Sequence, residues 1–517
     1  MPTCNTILCN LETYSGTDKC ILHCNKNSYQ DDRHNIGFLE TFYTQLIENI
    51  VESIFELRTN TDSPTKDQVR SHLKGESVDH FSPEQINTFV KHETVSFNRI
   101  FFPDRDNRDY FDFLNPLDKL SGVSFNLCEF NTTSLDLKNV SVFFDECVFH
   151  SHWFLYNHNM LENGRNVLYM SCTFRNRVST VVDDYASNEL INPIFSDCKF
   201  NKELILERIE IKSPVFKNTE FRYFHIKLIE IFSCILHADF TLNKYVIGSF
   251  HCGDTVFNSK FNLKENHIKT LNIYDTNFLS SADCFKSFIR EFEISRSEFN
   301  AFTSFEDCSF GKSSIRRQNV ANFVNTLFLG LVTFRNARFE NGLDLTRINI
   351  QGIPNFYNIG ISHKYTDRET FRRIKDSFDK VGNFIEGNKY YAYEMKRLKQ
   401  ELKSTKQYQK KALLFLYEHL SNYGQSYGRP LLSLVIFAIA YSFFELGYKH
   451  NILYSIYPKV NPILSFIARV SNSIASAILP FKNALKEGME SVSLLFYIIA
   501  TSLIWLIILA IKRSMRR

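Results

Sequence analysis

Between residues 125 and 339 one six-residue pattern recurs twelve times: a large apolar residue, two variable positions, a small residue, another variable position and Phe. The closing residues are Phe130, Phe149, Phe174, Phe200, Phe221, Phe240, Phe261, Phe278, Phe299, Phe310, Phe328 and Phe339. The opening position holds Phe125, Phe144, Tyr169, Phe195, Phe216, Ile235, Val256, Ile273, Ile294, Phe305, Phe323 and Phe334. The small position holds Cys128, Cys147, Cys172, Cys198 and Cys308, with Thr219, Thr276, Thr326, Ser259, Ser297, Ala238 and Ala337 in the other copies. Self-similarity in a fixed frame marks a chain whose units bury their apolar faces only by stacking on one another. The chain's 50 Phe supply such a stack, while 18 Gly and 12 Pro argue against collagen-like sequence or long flexible linkers.

From Phe130 to Phe339 the eleven intervals average 19 residues. A square coil with four five-residue sides takes about 20, and such coils would stack at the ~4.8 Å spacing of paired strands into a rod roughly 50–60 Å long. The large residue and the Phe point inwards, and the residue between them faces a narrow interior that admits Cys, Ala, Ser or Thr and rejects Leu. Long intervals before Phe174 and Phe200 predict surface insertions. The short intervals before Phe310 and Phe339 count two sides of one coil.

These residues resemble the pentapeptide-repeat family, whose consensus centres on Leu or Phe with a small residue two positions earlier. The resemblance covers about residues 95–362 and implies a right-handed quadrilateral β-helix, in a degenerate form that keeps the consensus on one or two sides of each coil. The recurring Cys residues then form an interior ladder. As nucleophiles they would need a His beside them, and none recurs. Some members of that family imitate DNA through an acidic face. Residues 121–345 hold 26 acidic and 23 basic residues, which excludes that role, and the formal charge of +4 gives no reason to expect nucleic acid.

At the N-terminus, CNTILCNLETYSGTDKCILHC places Cys4 and Cys9 near one another and Cys20, His23 and Cys24 together, with a polar loop around Gly16 between them. Two close groups of soft ligands joined by a turn suit tetrahedral Zn²⁺, and a tract with so little apolar content would draw folding energy from the metal. Similar small Cys/His heads precede some degenerate pentapeptide-repeat chains. Unligated or redox-active thiols are the alternative, and the fourth ligand is either His23 or Cys24. No basic segment followed by an apolar stretch opens the chain, so no cleaved signal is read and a reducing compartment is expected. Apolar residues at helical spacing over 38–56 predict an amphipathic helix that caps the open end of the coil.

Beyond residue 362 the periodicity turns helical. Two helices are expected to meet near Gly382–Gly387, in a stretch similar to the helical hairpin of membrane-anchored pentapeptide-repeat proteins. Residues 368–430 carry 14 Lys and Arg against 7 Asp and Glu. That excess precedes one apolar span, 430–448, and a second follows at 493–511, ending in Lys512, Arg513, Arg516 and Arg517. Basic flanks on both outer ends imply a hairpin with both termini in the cytoplasm. Between the spans, 463–481 is apolar but interrupted by Arg469, Ser471, Asn472, Ser473 and Ser476, so it either lies in the membrane interface or re-enters the bilayer.

The expected organisation is a zinc-binding head over 1–30, a helical cap over 31–94, the β-helix over 95–362, a basic neck over 363–429 and a transmembrane hairpin over 430–517. The resemblance implies a bacterial inner-membrane protein with a channel-like tail. Its rod would bind an unidentified cytoplasmic protein, and its membrane segment would form a homo-oligomer that is either an ion pathway or a static tether. No Gly-rich phosphate loop, HExxH or G-x-S-x-G motif points to an enzyme. The acidic pairs Asp183–Asp184 and Glu306–Asp307 read as solvated faces.

Overall fold

A computed structural model describes residues 3–7, 9–14, 16–26, 36–56, 64–77, 82–104, 111–137, 139–161, 166–180, 189–217, 224–311, 320–402, 407–449, 466–467, 470–472, 485–486 and 488–515. The chain divides into two units, Met1–Tyr365 and Thr366–Arg517.

The core of the first unit is a β-solenoid of about 10 turns, in which short strands pair in parallel with their equivalents in the next turn. One ladder aligns Phe97, Phe125, Phe144, Tyr169 and Phe195. A second aligns Phe102, Phe130, Phe149, Phe174 and Phe200, so the register begins one turn before the first sequence match, at Phe102. Along this second ladder the rings stack face to face at 4.9, 5.1, 4.7 and 5.2 Å, each pair within 9° of parallel. The strand spacing sets that separation, and the two aromatic columns meet edge to face, as where Phe125 abuts Phe130 at 5.3 Å.

Between the large residue and the closing Phe the backbone turns a corner. The residue three before the Phe takes the left-handed conformation at Leu127, Glu146, Ser171, Asp197, Asp275, Arg296 and Asn325. The small residue follows directly, and its side chain turns inwards. Size is only part of its role. The Cys147 thiol donates to the Phe125 carbonyl of the preceding turn at 3.3 Å and to the Asp145 carbonyl at 3.4 Å. Cys172, Cys198 and Cys234 repeat both contacts. Thr255, Thr276 and Ser297 donate to the carbonyl two residues earlier in the same way. These donors add to the backbone N–H that already pairs the corner carbonyl, as Leu127 N–H does at Asp145 and Asp254 N–H at Tyr274. Ala337 fills the same buried place with no donor, so the site demands a small residue and admits a donor.

The structure corrects two parts of the sequence register. Between Ile229 and Phe299 the period is 21 residues: Ile229, Phe250, Leu271 and Phe292 lie in direct register, as do Leu236, Phe257, Phe278 and Phe299. The average of 19 arises because successive matches sometimes fall on different sides of one turn. Phe310 pairs with Phe339 in a ladder separate from that of Phe299 and Phe328. Secondly, Ile235 and Phe240 are not the inward pair of their turn. Ile235 is 43% exposed, whereas Ile231, Cys234 and Leu236 are buried. Likewise the corner set is Cys252, Thr255 and Phe257; Phe261 belongs to another ladder, with Phe240.

Helix α1 (Ile36–Glu56) lays Phe42 against Phe102, the first ring of its column, at 6.1 Å, and buries Leu46, Ile47, Ile50, Val51 and Ile54. Two shorter helices, α2 (Lys66–Lys74) and α3 (Pro83–Val90), each begin with a capping box, from Thr65 and Gln68 and from Ser82 and Gln85. The short α4 (Leu114–Leu117) carries Phe113 at its start, which joins Phe42 and Phe102.

The second unit is helical. Helices α5 (Arg368–Lys380) and α6 (Phe384–Glu401) turn at Gly382, with φ +78°, and Asn383 caps α6. Gly387 lies within α6, where a Cβ would come within 2.6 Å of the Asp379 carboxylate. The two helices can therefore close on one another there, stacking Phe378 on Tyr390 at 5.5 Å. Helix α7 (Tyr408–Ser421) leads to α8 (Gly428–Lys449), and α9 (Glu490–Met515) follows. Both α8 and α9 are long and apolar enough to cross a membrane. At 22 and 26 residues they measure about 33 and 39 Å against a hydrocarbon core of ~30 Å. They pack through Phe437 on Phe496 and Tyr441 on Phe496, and the Tyr441 hydroxyl meets Ser493 Oγ at 2.9 Å. Glu445, which interrupts the first span, pairs with Lys486 at 3.1 Å. Most of 463–481, where interfacial and re-entrant placements were the alternatives, lies outside the described residues.

Candidate metal centre

The head is built by backbone hydrogen bonds that fold its first half over its second. Cys4 N–H donates to the Leu11 carbonyl, Asn5 N–H to Asp18, and Tyr14 N–H to Lys19. The Cys20–Cys24 segment forms a turn, with His23 and Cys24 amides both donating to the Cys20 carbonyl. This brings Cys20 and His23 to the same side, facing Cys4 and Cys9.

The ligand atoms of Cys4, Cys9, Cys20 and His23 all lie within 4.8 Å of one another. His23 Nδ1 is 3.1 Å from Cys20 Sγ and 3.5 Å from Cys4 Sγ, and the Cys9 and Cys20 sulfurs are 3.7 Å apart. A tetrahedral ion with sulfur bonds of ~2.3 Å spans edges of ~3.8 Å, so these spacings suit a metal held by three sulfurs and one imidazole. Cys4 and Cys20 are buried, and Cys9 and His23 are half-buried. Burial, reinforced by the neighbouring Cys9 and Cys4, pushes the Cys20 thiol up to about 12. A cation among these sulfurs would reverse that preference, because it holds them as thiolates.

Of the five residues singled out in the sequence, four converge. Cys24 does not join them: its sulfur points to the Ile21 carbonyl at 3.6 Å, buried on the far side of the turn. The i+3 spacing from Cys20 to His23 carries His23 round the turn to the cluster, and one more residue carries Cys24 past it.

No local pattern announces the role of Lys26. Its side chain is buried, donating to the Leu22 and Cys24 carbonyls at 3.1 and 3.0 Å, with the rings of Phe42 and Phe101 at 5.1 and 5.4 Å. The Leu22 carbonyl also accepts from Phe101 N–H at 2.8 Å. The turn that bears Cys20 and His23 is thereby tied to both α1 and the first solenoid turn.

The eight cysteines of the solenoid are buried free thiols. Burial pushes Cys128, Cys172 and Cys284 well above the ordinary thiol range, which disfavours the nucleophilic thiolate. No protein-family model, no curated protein and no solved structure matches the chain.

Proposed function

We propose that the chain is a non-enzymatic membrane-anchored scaffold: a pentapeptide-repeat-type β-helix of right-handed quadrilateral form, carried by α8 and α9 and closed at its N-terminal end by a structural zinc site. The observation that carries this reading is the outward apolar surface of α8 and α9, where Leu432, Ile436, Phe443, Leu495, Ile498 and Trp505 are exposed. Such a surface suits lipid, and the solenoid's inward thiols and hydroxyls are occupied in pairing corner carbonyls. Function is then left to outer surfaces, which would receive a cytoplasmic protein, with both termini on the cytoplasmic side of a bacterial inner membrane. Cys4, Cys9, Cys20 and His23 would hold zinc, which supplies cross-linking energy to a head of low apolar content.

A second reading makes the membrane segment of a homo-oligomer an ion pathway. It is favoured by the polar contacts at the start of α9, where Asn472 donates to the Gly488 carbonyl at 3.0 Å and accepts from the Ser491 amide at 3.0 Å. These fold part of the intervening segment back against the spans. Recording from purified oligomer in planar bilayers separates the two. Current that disappears when 463–481 is deleted supports the pathway, and silence from correctly inserted oligomer supports the scaffold. Failure to extract with membranes would overturn both.

A further inference from the structure

The outward side of helix α7 is largely apolar, with Gln409 and His419 as its polar members. Tyr408, Leu413 and Leu416 are 72%, 67% and 52% exposed. The opposite side carries the polar contacts. Glu418 accepts from Lys399 of α6 at 2.6 Å, and the Tyr417 hydroxyl accepts from Arg513 of α9 at 3.0 Å. Ser421 is fully buried and donates to the Tyr417 carbonyl. In water this arrangement wastes apolar surface that a rotation of the helix would bury.

Three features indicate what covers the face. Helix α7 ends seven residues before α8 begins, across a turn in which Asn422, Tyr423 and Gly424 all have positive φ, so its position is fixed close to the start of the first span. Arg513, near the end of the second span, donates to the Tyr423 carbonyl at 2.7 Å and locks the same turn. Lys410 and Lys411 lie on α7 itself, within a neck of 14 basic and 7 acidic residues; exposed Tyr408 opens α7, and exposed Tyr427 directly precedes α8. Aromatic ends, cations and an outward apolar face beside a span match the headgroup boundary of an anionic leaflet.

We propose that α7 is an interfacial helix, with Leu413 and Leu416 immersed at the boundary between headgroups and acyl chains, and Lys410 and Lys411 beside anionic headgroups. This rests on the reading that α8 and α9 cross a bilayer. The helix would set the depth of the hairpin and hold the neck against the membrane.

The test uses the full chain in vesicles of phosphatidylglycerol and phosphatidylcholine carrying bromines at a shallow or a deep acyl position. The chain has two Trp, and Trp153 is buried inside the solenoid. Native Trp505 reports the span. In a Trp505→Phe background, Leu416→Trp reports α7 at an exposed site that tolerates the larger ring, once the emission of the Trp505→Phe chain, which is that of buried Trp153, has been subtracted. The expected result is loss of Leu416→Trp emission with shallow bromines and a smaller loss with deep ones. Quenched Trp505 with unquenched, water-like Leu416→Trp emission overturns this inference alone. Unquenched but blue-shifted emission assigns the face to a second copy of the chain and also overturns it. Unquenched Trp505 overturns the membrane reading and this inference with it.

Discussion

Replacing Phe149 by Ala removes one ring from the middle of a column. Phe149 is fully buried, stacked on Phe130 and Phe174 at 5.1 and 4.7 Å, tilted against Trp153 at 4.3 Å and edge-on to Phe144 and Tyr169. Truncating a fully buried Phe costs about 3–5 kcal/mol through lost burial and the cavity left behind. The upper part of that range applies, because hydrogen-bonded strands hold the neighbouring turns at fixed spacing and they cannot close the gap. Phe149→Leu keeps most of the volume and should cost about half as much. With Trp505→Phe as background, Trp153 reports urea unfolding from beside the cavity, in full chain held in detergent micelles. Hydrogen exchange then locates the loss. A solenoid unit touches only its neighbours, so protection should fall at Val148 and Thr173, whose amides bond the adjacent turns, and persist at Val256 and Asn277. A cost below about 1 kcal/mol would refute the stacked-column account, given the burial energies above. Uniform loss of protection along the solenoid would refute the nearest-neighbour reasoning.

At the corner position, Cys147→Ser keeps a donor for the Phe125 and Asp145 carbonyls and should cost ~1 kcal/mol or less, whereas Cys147→Leu overpacks the corner and should cost ~3 kcal/mol or more in the same melts. Metal analysis of purified protein should find zinc bound, lost in Cys20→Ser and retained in Cys24→Ser; loss in Cys24→Ser alone would move the fourth ligand away from His23. Stability should also fall on acidification through His158. Burial pulls its pKa down to about 4, against the opposing pull of the Leu137 carbonyl and Asp136. The unfolded chain binds this proton below about 6.5 and the folded chain does not until about 4, so stability present above 6.5 is lost across that window, by about 3 kcal/mol. His158→Phe should flatten that part of the pH profile, and an unchanged profile would exclude His158 as its source.

The aromatic columns and the two-helix neck were legible in the sequence because each follows from side-chain type at a fixed spacing. The frame failed where spacing was ambiguous. Phe261 completes the pattern with Val256 and Ser259, whereas Phe257 has Cys252 where a large residue is expected, and only the ladder linking Phe257 to Leu236 and Phe278 shows that Phe257 closes this corner. The corner position was half-read: spacing called for a small residue, but only the left-handed corners show that a Cys, Thr or Ser there reaches a carbonyl, while Ala337 fills the place by size alone.

The same division holds at the two ends of the chain. Sequence alone determined that soft ligands cluster in the first 24 residues and that two apolar stretches follow a basic neck, because composition and local spacing carry that information. Tertiary structure chose His23 over Cys24, since one residue of rotation around a turn reverses which side chain faces the cluster. It also buried Lys26 against Phe42 and Phe101, and turned Arg513 from a charged flank into a partner of Tyr417 and Tyr423. Those contacts join residues far apart along the chain, and no local pattern records which of them meet.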